Sequence, residues 1–453
     1  MSRSRLCVCL LFLSLLSGRE ARAQIAIEGV YVDPDGVMRT VMTGDGNEQL
    51  AKLRKQAGAA RASGSVAVKS PMRKVSLTRL AKEVQALTQA GQPITDEMRF
   101  LAGLQQIRYV FLYPDEKDVV IAGPAEGWDI TPAGRVVGQS TKRPVVRLDD
   151  LVIALRVFRP GGDPAQTVWC TIHPTQDGQR RLTEYMTRLG RSIDARQVDA
   201  SLVEGARQSL GLQTIEISGV PDNCRLALSI VEADYRMKLI SLGLEDPRVK
   251  GIVSYVSLLG PGSGGTSVLQ RFWFVADYEA IVEGAEGAAF ELRGQRVRLL
   301  AANDVVKASG EIDRKETADS TAKRFIHGFT KHYEELARVN PIYAELQNAF
   351  DVLIVAALVQ DREPTAKVAS ELGTFLQPGG YSIETVLTPK LVETAVNARW
   401  IGRKFAMPMG GVLVEPSKWI RGSENKLTTD AKLGSQRQSA LSPAESAKRW
   451  WWD

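Results

Sequence analysis

Asn340 followed by Pro341 narrows the fold more than any other feature of this 453-residue chain. Asparagine is a strong helix N-cap, and proline at the first helical position gives up no hydrogen bond there. Ile342, Leu346, Phe350, Leu353 and Ala357 then recur at helical spacing. A second stripe, Phe325, Phe329, Tyr333 and Leu336, lies just upstream, so a C-terminal helical hairpin is predicted. Residues 352–359 form the longest apolar run past the N-terminus. That is under half a bilayer span, and no integral membrane segment is expected.

Strand and helix patterns alternate through the rest. Apolar runs at 25–32 and 37–41 flank Asp33-Pro34-Asp35-Gly36, and 109–113 and 118–121 flank Pro114-Asp115-Glu116-Lys117, both hairpin patterns. Residues 135–137, 166–173, 214–217, 226–233, 270–275, 288–292 and 296–300 also read as strands. Helices are expected through Leu77, Leu80, Val84 and Leu87 to a stop near Gly91, behind Thr175 as N-cap, over 198–210, and after Thr388-Pro389. The class implied is α+β, with mixed or antiparallel sheets and a partly disordered tail. The expected organisation is an N-terminal region at 24–135, a central domain at 136–302 and a charged linker at 303–319. A helical region at 320–421 and a flexible tail at 422–453 follow.

The first 23 residues read as a cleavable secretory leader. Arg3 and Arg5 precede an apolar run at 6–16 interrupted only by Ser14, and Ala21-Arg22-Ala23 offers a cleavage site between Ala23 and Gln24. An exported protein, periplasmic or extracellular, is therefore expected. Cleavage would remove four arginines, one glutamate and Cys7 and Cys9, halving the formal charge of +6. Cys170 and Cys224 would remain, either as one disulfide or as two buried thiols.

No motif names a reaction, a cofactor or a metal. His173, His327 and His332 are the only histidines. His327 and His332, five apart on a helix, point about 140° away from each other and cannot clamp one metal. Cys170 and His173 fall on opposite faces of a strand. Residues 260–267 are glycine-rich but lack the lysine of a phosphate loop. Two acid pairs at i,i+2 spacing, Glu232/Asp234 and Asp277/Glu279, would each share one strand face, the arrangement a hydrolase of envelope carbohydrate or peptide could use. Residues 51–82 hold nine cations and no acid, which suits either a solvated arm or a binder of acidic envelope polymer. No aromatic residue interleaves those cations, so nucleic acid is not the expected partner. The chain ends in Trp450-Trp451-Trp452-Asp453. Three exposed indoles would form a costly patch, so they either fold back onto the body or contact an envelope partner.

Several strings resemble a family of planctomycetal secreted proteins known as a domain of unknown function. They are Val231-Glu232-Ala233-Asp234-Tyr235-Arg236-Met237-Lys238, Arg271-Phe272-Trp273-Phe274 with Tyr278-Glu279, the helix text at 341–358, and the Trp-Trp-Trp-Asp end. The resemblance spans about residues 100–360 plus the tail. It implies bacterial export and carries no site residues. The reading that combines these features is an exported, non-catalytic envelope protein with a structural or interaction role.

Overall fold

The computed structural model describes residues 26–27, 30–33, 35–40, 64–131, 134–189, 200–259, 268–284, 286–306, 312–315, 320–362, 368–397, 407–421, 429–441 and 449–453. The leader, the first part of the basic stretch, and the glycine-rich 260–267 lie outside the described residues.

In chain order the elements are β1 (Ala26–Ile27), β2 (Val30–Val32), β3 (Val37–Thr40), β4 (Ser70–Ser76), α1 (Leu77–Gln89), α2 (Asp96–Arg99), β5 (Tyr109–Tyr113), β6 (Asp118–Ala125), β7 (Trp128–Ile130), β8 (Val136–Gly138), α3 (Leu148–Val157) and β9 (Val168–Pro174). Next come α4 (Gln176–Leu189), α5 (Ala200–Leu210), β10 (Gln213–Ser218), α6 (Arg225–Leu242), α7 (Tyr255–Leu258), β11 (Val268–Asp277), β12 (Ala280–Glu283), β13 (Ala289–Arg293), β14 (Arg296–Val306) and β15 (Ile312–Lys315). The last are α8 (Ser320–Lys331), α9 (Tyr333–Val339), α10 (Pro341–Asp361), α11 (Gly373–Leu376), β16 (Leu391–Val392), β17 (Met407–Val414), α12 (Pro416–Ile420), α13 (Lys432–Ser439) and β18 (Trp451–Trp452).

The larger sheet runs β1-β2-β3-β16-β10-β9-β17-β11-β14-β15. It is mixed, because β3/β16 and β17/β11 are parallel whereas β9/β10, β9/β17 and β11/β14 are antiparallel. A second, antiparallel sheet runs β12-β13-β5-β6-β4-β18, and β7 pairs with β8 apart from both. Each large sheet takes strands from the beginning, middle and end of the chain. The α+β class expected from the sequence holds.

Helices α6 and α10 pack on each other and on α3, and α6 also lies across β17 and β9. They are the core helices of the protein. Every residue of α6 from Leu226 to Leu242 is buried. Helix α10 begins at Pro341, as its sequence predicts, but the Asn340 side chain makes no capping bond and donates to Glu245. It is also long and apolar enough to cross a membrane by length and composition, which counting unbroken apolar residues had missed. Glu345, Gln347 and Asp351 interrupt its runs without lowering its mean hydropathy below the spanning range. Since 94% of its apolar window is buried inside the protein, its surroundings are side chains of the core.

The hairpins β2-β3 and β5-β6 form as expected. In the first, the Asp33 carboxylate accepts from the amides of Asp35 and Val37, a side chain standing in for turn backbone. Thr175 caps α4 through the Gly178 amide at 3.0 Å.

Five expectations need correction. Residues 226–233 are helix, the first half of α6. The supposed linker carries β14 to Val306 and then β15, the last strand of its sheet, where charged sequence is tolerated. Thr388-Pro389 starts no helix; the chain runs on to β16, and Ile215 donates to the Lys390 carbonyl. The region expected to be helical therefore changes to extended chain after α11 and contributes β16 and β17 to the large sheet. The tail contains α13 and ends in β18, although 422–428 and 442–448 lie outside the described residues.

Candidate functional site

Helix geometry separates Glu232 and Asp234 by about 200°, so the strand-face pairing expected for them does not exist. Both are sealed, with Glu232 1% and Asp234 0% exposed. Glu232 points toward the β7–β8 turn, where Arg135 Nη2 donates to its Oε1 at 2.5 Å. The other arm of Arg135 lies 2.7 Å from Glu345 on α10. Arg225 and Arg236 add longer contacts, 3.6 Å each, to Glu345 and Glu232. Arg236 then reaches Glu245 at 2.6 Å, and Asn340 donates to that same carboxylate. One ionic chain thus ties α6 to the β7–β8 turn and to the start of α10.

Asp234 faces the other way, into the sheet. An ideal Cβ on Gly410 of β17 would sit 2.0 Å from its Oδ1, so only glycine lets the strand pass beneath the carboxylate. Lys238, one turn on, donates to Gln213 of β10. Burial raises the Asp234 carboxyl, with Lys238 and Arg271 opposing, and burial lowers the Lys238 ammonium. Burial also raises Glu232 despite Arg135. Glu345 is the exception. Burial pushes its carboxyl upward, but Arg135, Arg225 and Arg147 outweigh that and hold it at about 2.

Perturbed carboxyls often mark active sites, but only where substrate can reach them. Glu232 and Asp234 are perturbed by burial, Glu232 within an ion pair, and neither is open to a substrate. The acids of the second pair lie at the surface: Asp277 ends β11 with Arg298 3.9 Å away, and Glu279 is exposed. A groove of about 500 Å³ is lined by Thr88, Arg99, Gly380 and Tyr381 among others, and none of the four candidate acids lines it. Tyr381 donates from its hydroxyl to Asp149 at 2.7 Å.

Cys170 and Cys224 are free, buried thiols. Cys170 on β9 packs against the Ile230 carbonyl, whereas Cys224 caps α6 and donates to the Pro221 carbonyl at 3.0 Å. Ile230 lies about 9 Å along the helix axis from Cys224, beyond the reach of a disulfide. Burial raises both thiols, Cys224 to about 12. His173 sits on the opposite face of β9 from Cys170, against Glu216, and His332 lies beside Glu335. Among the described residues no group of histidine, cysteine or acid side chains converges as a metal site.

The tryptophans fold back, so the partner contact considered for Trp450, Trp451 and Trp452 gives way to self-docking. β18 extends the small sheet as an antiparallel neighbour of β4, with Trp451 opposite Val75 and Trp452 opposite Lys74. The Ser76 amide donates to the Trp450 carbonyl at 2.8 Å. Strand alternation sends Trp451 into the main core and Trp452 onto the outer face of the small sheet, where Tyr109, Phe111, Tyr113, Leu433 and Ala440 cluster. Trp451 is 7% and Trp452 5% exposed, and Trp450 is half-buried. Burying each ring contributes about 4–6 kcal/mol gross, before the cost of ordering the tail.

Arg73 on β4 anchors this strand. Its buried guanidinium donates to the Val66, Val68 and Ala102 carbonyls and grips the Asp453 carboxylate through two bonds, 2.8 and 3.0 Å. It also lies 4.5 Å from the Trp451 ring centroid, while Arg79 covers Trp452 and Glu97 accepts from the Trp451 indole. Burial would raise the Asp453 carboxyl; Arg73, Ser70 and Lys74 together hold it below the ordinary carboxylate range. The basic stretch is therefore largely committed in its described part. Arg73 and Lys74 are buried and Arg79 covers an indole, while Lys69 and Lys82 are exposed, Lys82 with Glu371 2.9 Å away. Nothing local in the sequence marks Arg73 or Arg135, since the carboxylate Arg73 grips lies 380 residues away and the nearer of the two beside Arg135 lies 97 away.

Fold and site together define an α+β protein organised around an ion-paired buried helix. Within it, residues 170–255, from β9 to the first residue of α7, match the family described as Protein of unknown function (DUF1598). That stretch contains the α6 string from Val231 to Lys238, but not the β11 string, the α10 text or the tryptophan end. No curated protein and no solved structure matches the chain.

Proposed function

We propose that the chain is an exported cell-envelope protein with a structural or interaction role and no reaction of its own. The observation that carries this is the sealing of Glu232, ion-paired to Arg135, and of Asp234, shut in against β17, where a hydrolase would need both at a cleft. Export is supported by the leader pattern around Arg3, Arg5 and Ala21-Arg22-Ala23. The hydrolase alternative then rests on Asp277 and Glu279, on open surface, and the polymer-binding alternative on the cations of 51–82 that are not buried, Lys69 and Lys82 among them.

The test is expression of the full chain in a bacterium, with fractionation, mass measurement and cross-linking in the intact envelope. The reading expects a mature protein starting at Gln24, outside the cytoplasm and cross-linked to envelope components. A full-length cytoplasmic chain would contradict export. Hydrolysis of envelope carbohydrate or peptide that disappears in Asp277→Asn would contradict the non-catalytic role.

A further inference from the structure

We propose that the edge of β4 is an acceptor for an aromatic–acidic strand, and that the Trp450–Asp453 segment of a second copy of this chain can fill it. A built receptor is present. Arg73 is fully buried with the strand in place and keeps three backbone carbonyls as partners, so removing the strand would uncover a cation still fixed on its carbonyls but lacking its carboxylate and its covering indole. On one side the site takes an indole under the Arg73 guanidinium; on the other it takes an indole against Tyr109 and Phe111, whose rings stack 5.8 Å apart. An occupant must therefore present indole, indole and carboxylate on three successive residues in extended form. This chain has that order at its own end.

Backbone pairing with a sheet edge, plus pockets for alternate side chains, is how extended peptides are recognised in trans. Here the ladder is two residues long, so little besides the side chains holds the strand to its own body. Covalent attachment keeps the strand at an effective concentration on the order of millimolar, and cis occupancy dominates in dilute solution. Copies crowded on a surface, or copies whose own strand is released, exchange strands. A two-fold exchange of this kind closes on itself as a dimer. The acceptor does not depend on where the protein works, so it stands or falls separately from the envelope role.

The test is complementation between two full-length variants. One is the tail-defective chain Trp451→Ser/Trp452→Ser/Asp453→Asn, which has an empty acceptor. The other is Arg73→Met, which has a free tail. Each alone should sediment as a monomer, and the mixture should give a 1:1 heterodimer. A peptide of residues 449–453 on an inert carrier should bind the tail-defective chain saturably and dissolve the heterodimer. Its Asp453→Asn form should bind at least tenfold more weakly. If the tail-defective chain does not fold, wild-type chain cut within 442–448 replaces it, and the labelled peptide should exchange into it. No heterodimer and no peptide binding by folded protein, or equal binding of both peptides, overturns the proposal.

Discussion

Replacing Arg135 by methionine removes the guanidinium that lies 2.5 Å from Glu232 and 2.7 Å from Glu345. The methionine occupies most of the arginine stem, so the loss is mainly electrostatic. Taking one partner from a buried ion pair costs about 3–5 kcal/mol, because the remaining charge is stranded. Arg236 and Arg225 still stand 3.6 Å from the two carboxylates, which favours the lower end, about 3 kcal/mol. Urea unfolding measures it, as a lower midpoint with an unchanged slope. Replacing the pair together, Arg135→Met/Glu232→Met, should recover much of the loss, since Glu345 keeps Arg225 and Arg147 as partners and Arg236 keeps Glu245. The pH dependence has a defined sign. Glu345 is held at about 2 in the folded protein, so its contribution is fully present above the unfolded value of about 4.3 and is lost as pH falls toward 2. The gap between wild type and Arg135→Met should narrow over that window. A change below about 1 kcal/mol at neutral pH would refute the reasoning, because it would mean that water already solvates these charges.

Two further outcomes follow from close packing and thiol burial. Gly410→Ala drives a methyl into the Asp234 carboxylate and should cost about 2–3 kcal/mol; Asp234→Ala in the same chain should recover much of it, giving a clear coupling in a double-mutant cycle. In protein beginning at Gln24, neither Cys170 nor Cys224 should react with a thiol reagent while native, and both should react in denaturant without reductant. A count of zero in denaturant would show a disulfide.

What the sequence disclosed depended on whether an element keeps a wet side. Helix α1 alternates buried Leu77, Leu80, Ala81 and Val84 with exposed positions, and its period was plain. The β5-β6 hairpin was equally visible because Pro114-Asp115-Glu116-Lys117 interrupts two apolar runs. Helix α6 has no wet side, so 226–233 shows no helical period, only apolar residues broken by Ser229 and Glu232, and length alone separates a buried helix from a buried strand. The left-handed Gly243 at its C-cap was the available clue to a helix ending there. The site was less legible still. Glu232 and Asp234 stood out by spacing, yet their chemistry is set by Arg135 and by Gly410, neither near them in sequence. For the terminal tryptophans, composition sufficed to say they must be covered, but Arg73 decides where.

Carboxyl footprinting of the native protein with a water-soluble carbodiimide, read by mass spectrometry, tests the central claim most directly. The account predicts that Glu279 and Glu335 label readily while Glu232, Asp234, Glu345 and Asp351 stay unmodified until the protein unfolds. Labelling of Glu232 or Asp234 at the rate of the exposed acids would contradict it, and would reopen α6 as a place where chemistry is done.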